Sequence, residues 1–134
     1  MARNVLSGLI QASNPINDES RSVAEIQAAM LEKHLPMIHD AGKKGVQILC
    51  LQEIFNGPYF CPGQDKRWYA AAEEVPGPTT ELMAKYAKKH SMVMIVPVYE
   101  REMSGVLYNT AAVIDADGTR SEEHTSELQS LTNL

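Results

Sequence analysis

The chain has 134 residues, 44% of them hydrophobic, and a formal net charge of −5. That length suits one domain, and that apolar share excludes a disordered chain. The acidic balance excludes a general nucleic-acid binder, which meets phosphates with a basic face.

No apolar run approaches the ~20 residues that cross a bilayer, so no membrane partner is expected. The start, MARNVLSGLIQAS, lacks the pattern of a signal peptide. Two cysteines, Cys50 and Cys61, make no disulfide framework. A reduced, cytoplasmic protein is the expectation.

Residues 5–13 read as a first strand, and NPINDES as a loop rich in turn formers. A helix is predicted from about Ser20 to Gly42. Val23, Ile26, Met30, Met37 and Ala41 form its apolar stripe. Pro36 lies inside that pattern and predicts a kink or break. Residues 46–52, VQILCLQ, form a near-continuous apolar run, which predicts a strand buried on both faces. A loop covers 54–66, and Lys66 to Glu74 suggests a short helix. VPGP is a turn, after which Thr79 and Thr80 can cap a helix reaching about His90. A third strand is predicted over 92–100, with Pro97 implying a bulge or an edge. EMSG turns the chain into a fourth strand, 106–115, and ADG reads as a hairpin turn. Strands alternating with helices imply parallel neighbours and an α/β class.

Functional groups of α/β sheets gather beyond the C-terminal ends of the strands. Glu53 stands at such an end. Ile54, Phe55, Tyr59 and Phe60 follow it and could desolvate it, towards the pKa a general base needs. A strand-end glutamate can equally point into water or take a salt bridge.

The segment ILCLQEIF and the GPYFCP loop resemble the part of the nitrilase superfamily of carbon-nitrogen hydrolases that carries its first catalytic glutamate. VLSGLIQAS, AGKKG, VPGPTTELMAKYAKKHSMVMIVPVYE and VLYNTAAVIDADG look like the same amino-terminal part, in the same order. Within the superfamily they look most like the β-ureidopropionases and related N-carbamoyl amidohydrolases. The resemblance covers residues 3 to about 119.

It implies the amino-terminal, incomplete part of an α-β-β-α sandwich. It also implies hydrolysis of non-peptide C–N bonds by Glu, Lys and Cys together. A thiolate attacks the carbonyl carbon, a carboxylate moves the proton and later activates water, and an ammonium stabilises the oxyanion. On that pattern Glu53 is the proton acceptor, and Asn56, Tyr59 and Phe60 belong to the substrate-pocket loop. The implied substrate is a small N-carbamoyl or amide compound. No metal or organic cofactor is implied, and the parent enzyme is expected to be a homo-oligomer.

The superfamily's lysine and cysteine come later than this chain supplies them. After Thr119 it reads RSEEHTSELQSLTNL. Residue by residue, Arg120 to Leu134 resembles the translation of a sequencing-library adapter. The expected organisation is therefore a partial hydrolase domain over 1–119 and a disordered, artefactual tail over 120–134. The chain itself is expected to be inactive.

Neither cysteine is expected to replace the nucleophile, although Cys61, in the loop after Glu53, is a conceivable one. Cys50 reads as a small core residue in a strand. Cys61 sits between Phe60 and Pro62 with no cation or helix start nearby to stabilise a thiolate. His34 and His39 are out of the i, i+4 register of a metal pair. Asn109 is either a buried amide satisfied by backbone or a support for the site. A second reading of the whole is a non-catalytic α/β binding or assembly module.

Overall fold

Short apolar runs separated by amphipathic helices build a five-stranded sheet in the computed structural model, which describes residues 3–127 except Glu19, Pro62 and Gln64, with side chains as far as Ser121. The order is β1 (Ser7–Ile10), α1 (Val23–Lys43), β2 (Ile48–Leu51), a 3-10 turn (Lys66–Ala71), α2 (Pro78–His90), β3 (Val93–Met103), β4 (Val106–Ile114) and β5 (Arg120–Glu127). The strands lie in sequence order. β1, β2 and β3 are parallel, with Ser7 opposite Ile48 and Ile48 opposite Val93. β4 and β5 are antiparallel additions.

Local chemistry sets the helix ends. Ser22 caps α1 through a reciprocal box: its Oγ accepts the Glu25 N–H at 3.3 Å, and Glu25 Oε2 accepts the Ser22 N–H at 3.0 Å. Gly45, at φ 76°, ends it in the left-handed conformation glycine adopts without strain. Pro36 does not break α1, against expectation. Pro36 and Glu32 are both exposed, so the carbonyl that loses its partner faces water, while His34 and Ile38 on the opposite side are held in the core. The cap of α2 is Gly77, with Pro78 at the first helical position. Thr79 and Thr80, expected at the cap, are buried in the first turn, where the Thr80 side chain accepts the Gly77 N–H at 2.8 Å.

Both helices cover one face of the sheet. Ile38 of α1 and Met83 and Ala87 of α2 pack on Leu49, Leu51, Met94, Val96, Val98 and Ile114. The period of two along each strand sends the alternate residues to the other face. There Leu9 and Ile48 are exposed, and Cys50, Ile95 and Val113 are half-buried. β2 is therefore buried on one face only, because among the described residues no second layer covers the other. The described residues supply one helix layer and one sheet layer. Among the described residues no helix is long and apolar enough to cross a membrane.

Pro97 sits within β3, opposite Ala111 of β4. Pairing with β2 ends at Ile95, so β3 is an edge on that side from Val96 onward. The missing N–H of Pro97 points to that edge, where the Pro97 carbonyl accepts from the Phe55 N–H at 3.4 Å.

The polar stretch after Thr119, expected outside the domain, pairs with β4 over Arg120–Glu127. A ladder needs only backbone groups, and the Asp115–Gly118 turn, closed by Gly118 N–H to Asp115 O at 2.8 Å, returns the chain onto the free edge of β4. The rest of the expected disordered tail, 128–134, lies outside the described residues.

The apolar stripe of α1 runs through His34, which is fully buried. The Met30 carbonyl, 2.8 Å from Nδ1, can only accept, so Nδ1 carries the hydrogen. Burial holds the His34 pKa below its usual 6.5, and Lys33 pushes the same way. A depressed histidine pKa contributes stability that is present above 6.5 and lost as pH falls through the folded value. The melting temperature should thus drop between pH 7.5 and 5.5, and the drop should shrink in His34→Leu. An unchanged slope in that variant would contradict the assignment.

Candidate active site

Glu53 follows the C-terminal end of β2, and the chain reverses at once. Ile54 has φ 47°, an outlier for a β-branched residue that costs about 1–3 kcal/mol. The Gly57 N–H closes the turn on the Ile54 carbonyl at 3.1 Å. This geometry drives Ile54 and Phe55 into the core, at 2% and 0% exposure, and leaves Glu53 exposed. The apolar surround expected for the carboxylate is not formed, because its neighbours face inward.

Glu53 has a specific partner instead. Asn109 of β4 donates its amide to Glu53 Oε1 at 2.5 Å. That charge-assisted bond fixes one carboxylate oxygen and leaves lone pairs of Oε2 for a proton. Of the two sequence readings of Asn109, the support for the site is the one this contact favours.

The other predicted loop residues divide. Tyr59 is 59% exposed. Cys61 beside it, first by charge and then by a hydrogen bond, raises the Tyr59 hydroxyl pKa, and the Glu53 charge adds to this. Phe60 is buried, stacked on Trp68 at 5.7 Å and tilted against Tyr99 at 5.0 Å. Tyr59 and Phe60, with Asn14, Asn17, Arg67 and Trp68, line an open cleft of ≈ 460 Å³. Asn56 lines no part of it. Its side chain is 2% exposed and donates to Thr79 Oγ1 at 3.1 Å. The structure therefore brings Tyr59 and Asn109 towards Glu53, sets Cys61 against Tyr59, keeps Phe60 as a mostly buried part of the cleft wall and turns Asn56 inward.

Sequence reasoning missed Glu73. Burial raises its pKa, against the opposing effect of hydrogen bonds from Thr79. Its Oε2 accepts from Thr79 Oγ1 at 3.0 Å and from the Thr79 N–H at 3.4 Å. The only available signal was the pair of acids ahead of VPGPTT, which read as a turn. Among the described residues no group of three or more His, Cys, Asp or Glu is placed to hold a metal.

A family model described as carbon-nitrogen hydrolase matches residues 8–129. The chain is 36% identical over 130 residues to a β-ureidopropionase of Arabidopsis thaliana, covering 91% of this chain and 30% of that relative. It is 37% identical over 102 residues to an omega-amidase of Xenopus laevis, covering 76% and 36%. It thus spans about a third of the curated relatives it matches. Its fold is similar to that of a carbon-nitrogen hydrolase from Helicobacter pylori, with TM-score 0.78 at 20% identity, over 91% of this chain and 39% of that one.

Proposed function

We propose, starting from the premise that this chain belongs to the carbon-nitrogen hydrolase family, that it carries the proton-handling carboxylate of an enzyme that hydrolyses N-carbamoyl amino compounds. The observation that carries the reading is Glu53, at the end of β2, exposed to solvent and held at one oxygen by Asn109. A carboxylate in that position can take a proton from a nucleophile and return it to a leaving amine. The nucleophile is a cysteine thiolate and the oxyanion partner a lysine, both supplied by sequence downstream of this chain. The net reaction consumes one water and releases the amine, carbon dioxide and ammonia. Similarity to a β-ureidopropionase supports N-carbamoyl-β-alanine as the first substrate to try.

The test uses the protein extended by its natural downstream sequence. N-Carbamoyl-β-alanine, N-carbamoylputrescine and an ω-amide are supplied in parallel, and ammonia and the amine or acid product are measured. The expected result is fastest turnover of N-carbamoyl-β-alanine, with β-alanine formed in equal amount to ammonia. Faster turnover of the ω-amide would replace this substrate class with the one in the name of the Xenopus laevis relative.

A further inference from the structure

We propose that Glu73 is a positioning residue, acting through Thr79 and Asn56 on the turn that carries Glu53. This rests on the reading of Glu53 as the proton acceptor. The Thr79 hydroxyl has one hydrogen, and Glu73 Oε2, 3.0 Å away, takes it. The oxygen of that hydroxyl is then obliged to accept, and it accepts the Asn56 amide at 3.1 Å. The carboxylate thus sets the direction of the whole chain of bonds. Asn56 and Thr79 are 2% and 3% exposed, so water does not compete for the link.

The far end of the link is the strained part. Asn56 lies inside the turn that follows Glu53, which the Gly57 N–H closes on the Ile54 carbonyl and in which Ile54 sits at φ 47°. A strained turn persists only where its surroundings over-determine it. The near end is rigid. The Glu73 N–H donates to the Tyr99 carbonyl at 3.0 Å, and the Glu73 carbonyl accepts the Arg101 N–H at 2.8 Å. Glu73 is thereby strapped to β3, the strand whose partner β4 carries Asn109. The two groups that orient Glu53 share one scaffold.

A simple capping role accounts for less. Glu73 Oε2 does cap the Thr79 N–H at 3.4 Å, but that bond and the Thr80 Oγ1 bonds to the Gly77 N–H and carbonyl, at 2.8 Å and 3.0 Å, close the start of α2 without the Thr79 hydroxyl or Asn56. Glu73 also keeps Oε1 buried with no partner among the described residues. A carboxylate oxygen buried without a partner is costly, and a cap alone would not require one.

The test compares Thr79→Val, which removes the hydroxyl at constant volume, with Thr79→Ser, which keeps it. Both are made in the protein extended by its downstream sequence, with Glu53→Gln measured alongside. Thr79→Val should lower kcat about 10- to 100-fold at nearly constant KM, the effect of misplacing a catalytic group. Thr79→Ser should restore kcat to within about threefold. Unchanged kcat in Thr79→Val, or equal loss in both variants, overturns the relay while leaving Glu53 in its role. Should Thr79→Val not fold, Asn56→Ala probes the same link, and retained kcat there overturns it equally. Near-normal turnover in Glu53→Gln overturns the reading of Glu53 and the relay with it.

Discussion

Glu53→Gln, in the protein extended by its downstream sequence, should lose at least ~100-fold in kcat for ammonia release, the usual worth of a positioned general base. Glutamine can present its carbonyl oxygen to Asn109 where Glu53 Oε1 now accepts at 2.5 Å, so the side chain keeps its place. What it cannot do is take a proton. KM should change little, because an exposed carboxylate held from one side by an amide is arranged for chemistry and does not wall the cleft. Turnover within a few-fold of the parent would make Glu53 a structural residue. The Asn109 bond would then be an ordinary surface contact.

The order of elements was legible because the periods are clear. Val23, Ile26, Met30, Met37 and Ala41 repeat at helical spacing, although the structure buries Ile38 rather than Met37, and VQILCLQ is a short apolar run that reads as a strand. The pairing of β1 with β2 followed from the helix between them. β5 was not legible. Its polar residues give no alternation, and its strand character comes from the free edge of β4, which no local pattern encodes. The Pro36 break failed for a related reason. Propensity is local, but burial of His34 and Ile38 on either side of the proline is tertiary.

The proposed site was legible in part. Glu53 stood out because a carboxylate ends an apolar strand and a loop resembling that of the family follows. Its partner could not be chosen between two readings, since the Asn109 contact depends on the register of β4 against β3. Asn56 looked like a pocket residue because polar loop residues usually face solvent. Here the left-handed Ile54 turns it inward to Thr79. Glu73 was invisible as a half-buried acid, since two adjacent glutamates before a Pro-Gly turn normally read as a solvated loop. Its contacts with β3 and the first turn of α2 are tertiary.

The 134-residue chain should release no ammonia from N-carbamoyl-β-alanine. Glu53 can move a proton but has no nucleophile to activate. Without the thiolate there is no covalent intermediate to divide the reaction. Without the ammonium the oxyanion goes unstabilised, and one such donor is typically worth ~100- to 1,000-fold. Residues 120–134 cannot substitute: Arg120 is their only Lys or Arg, and Glu122, Glu123 and Glu127 are acidic. Cys61 lies in the loop after Glu53, against the Tyr59 hydroxyl and between Phe60 and Pro62, with no cation next to it in the sequence.

The most direct measurement pairs two proteins. One is the chain as it stands. The other replaces 120–134 with the sequence read downstream of the Thr119 codon in an independent DNA clone. Ammonia release from N-carbamoyl-β-alanine is followed for both at equal concentration. Activity confined to the extended protein, and lost again in its Glu53→Gln variant, is the result expected for a hydrolase that takes its proton acceptor from this chain. Activity in the short chain that disappears on Cys61→Ser would contradict it and make Cys61 the nucleophile. A downstream reading frame that stops soon after Thr119, with no lysine or cysteine, would leave a non-catalytic α/β module in its place.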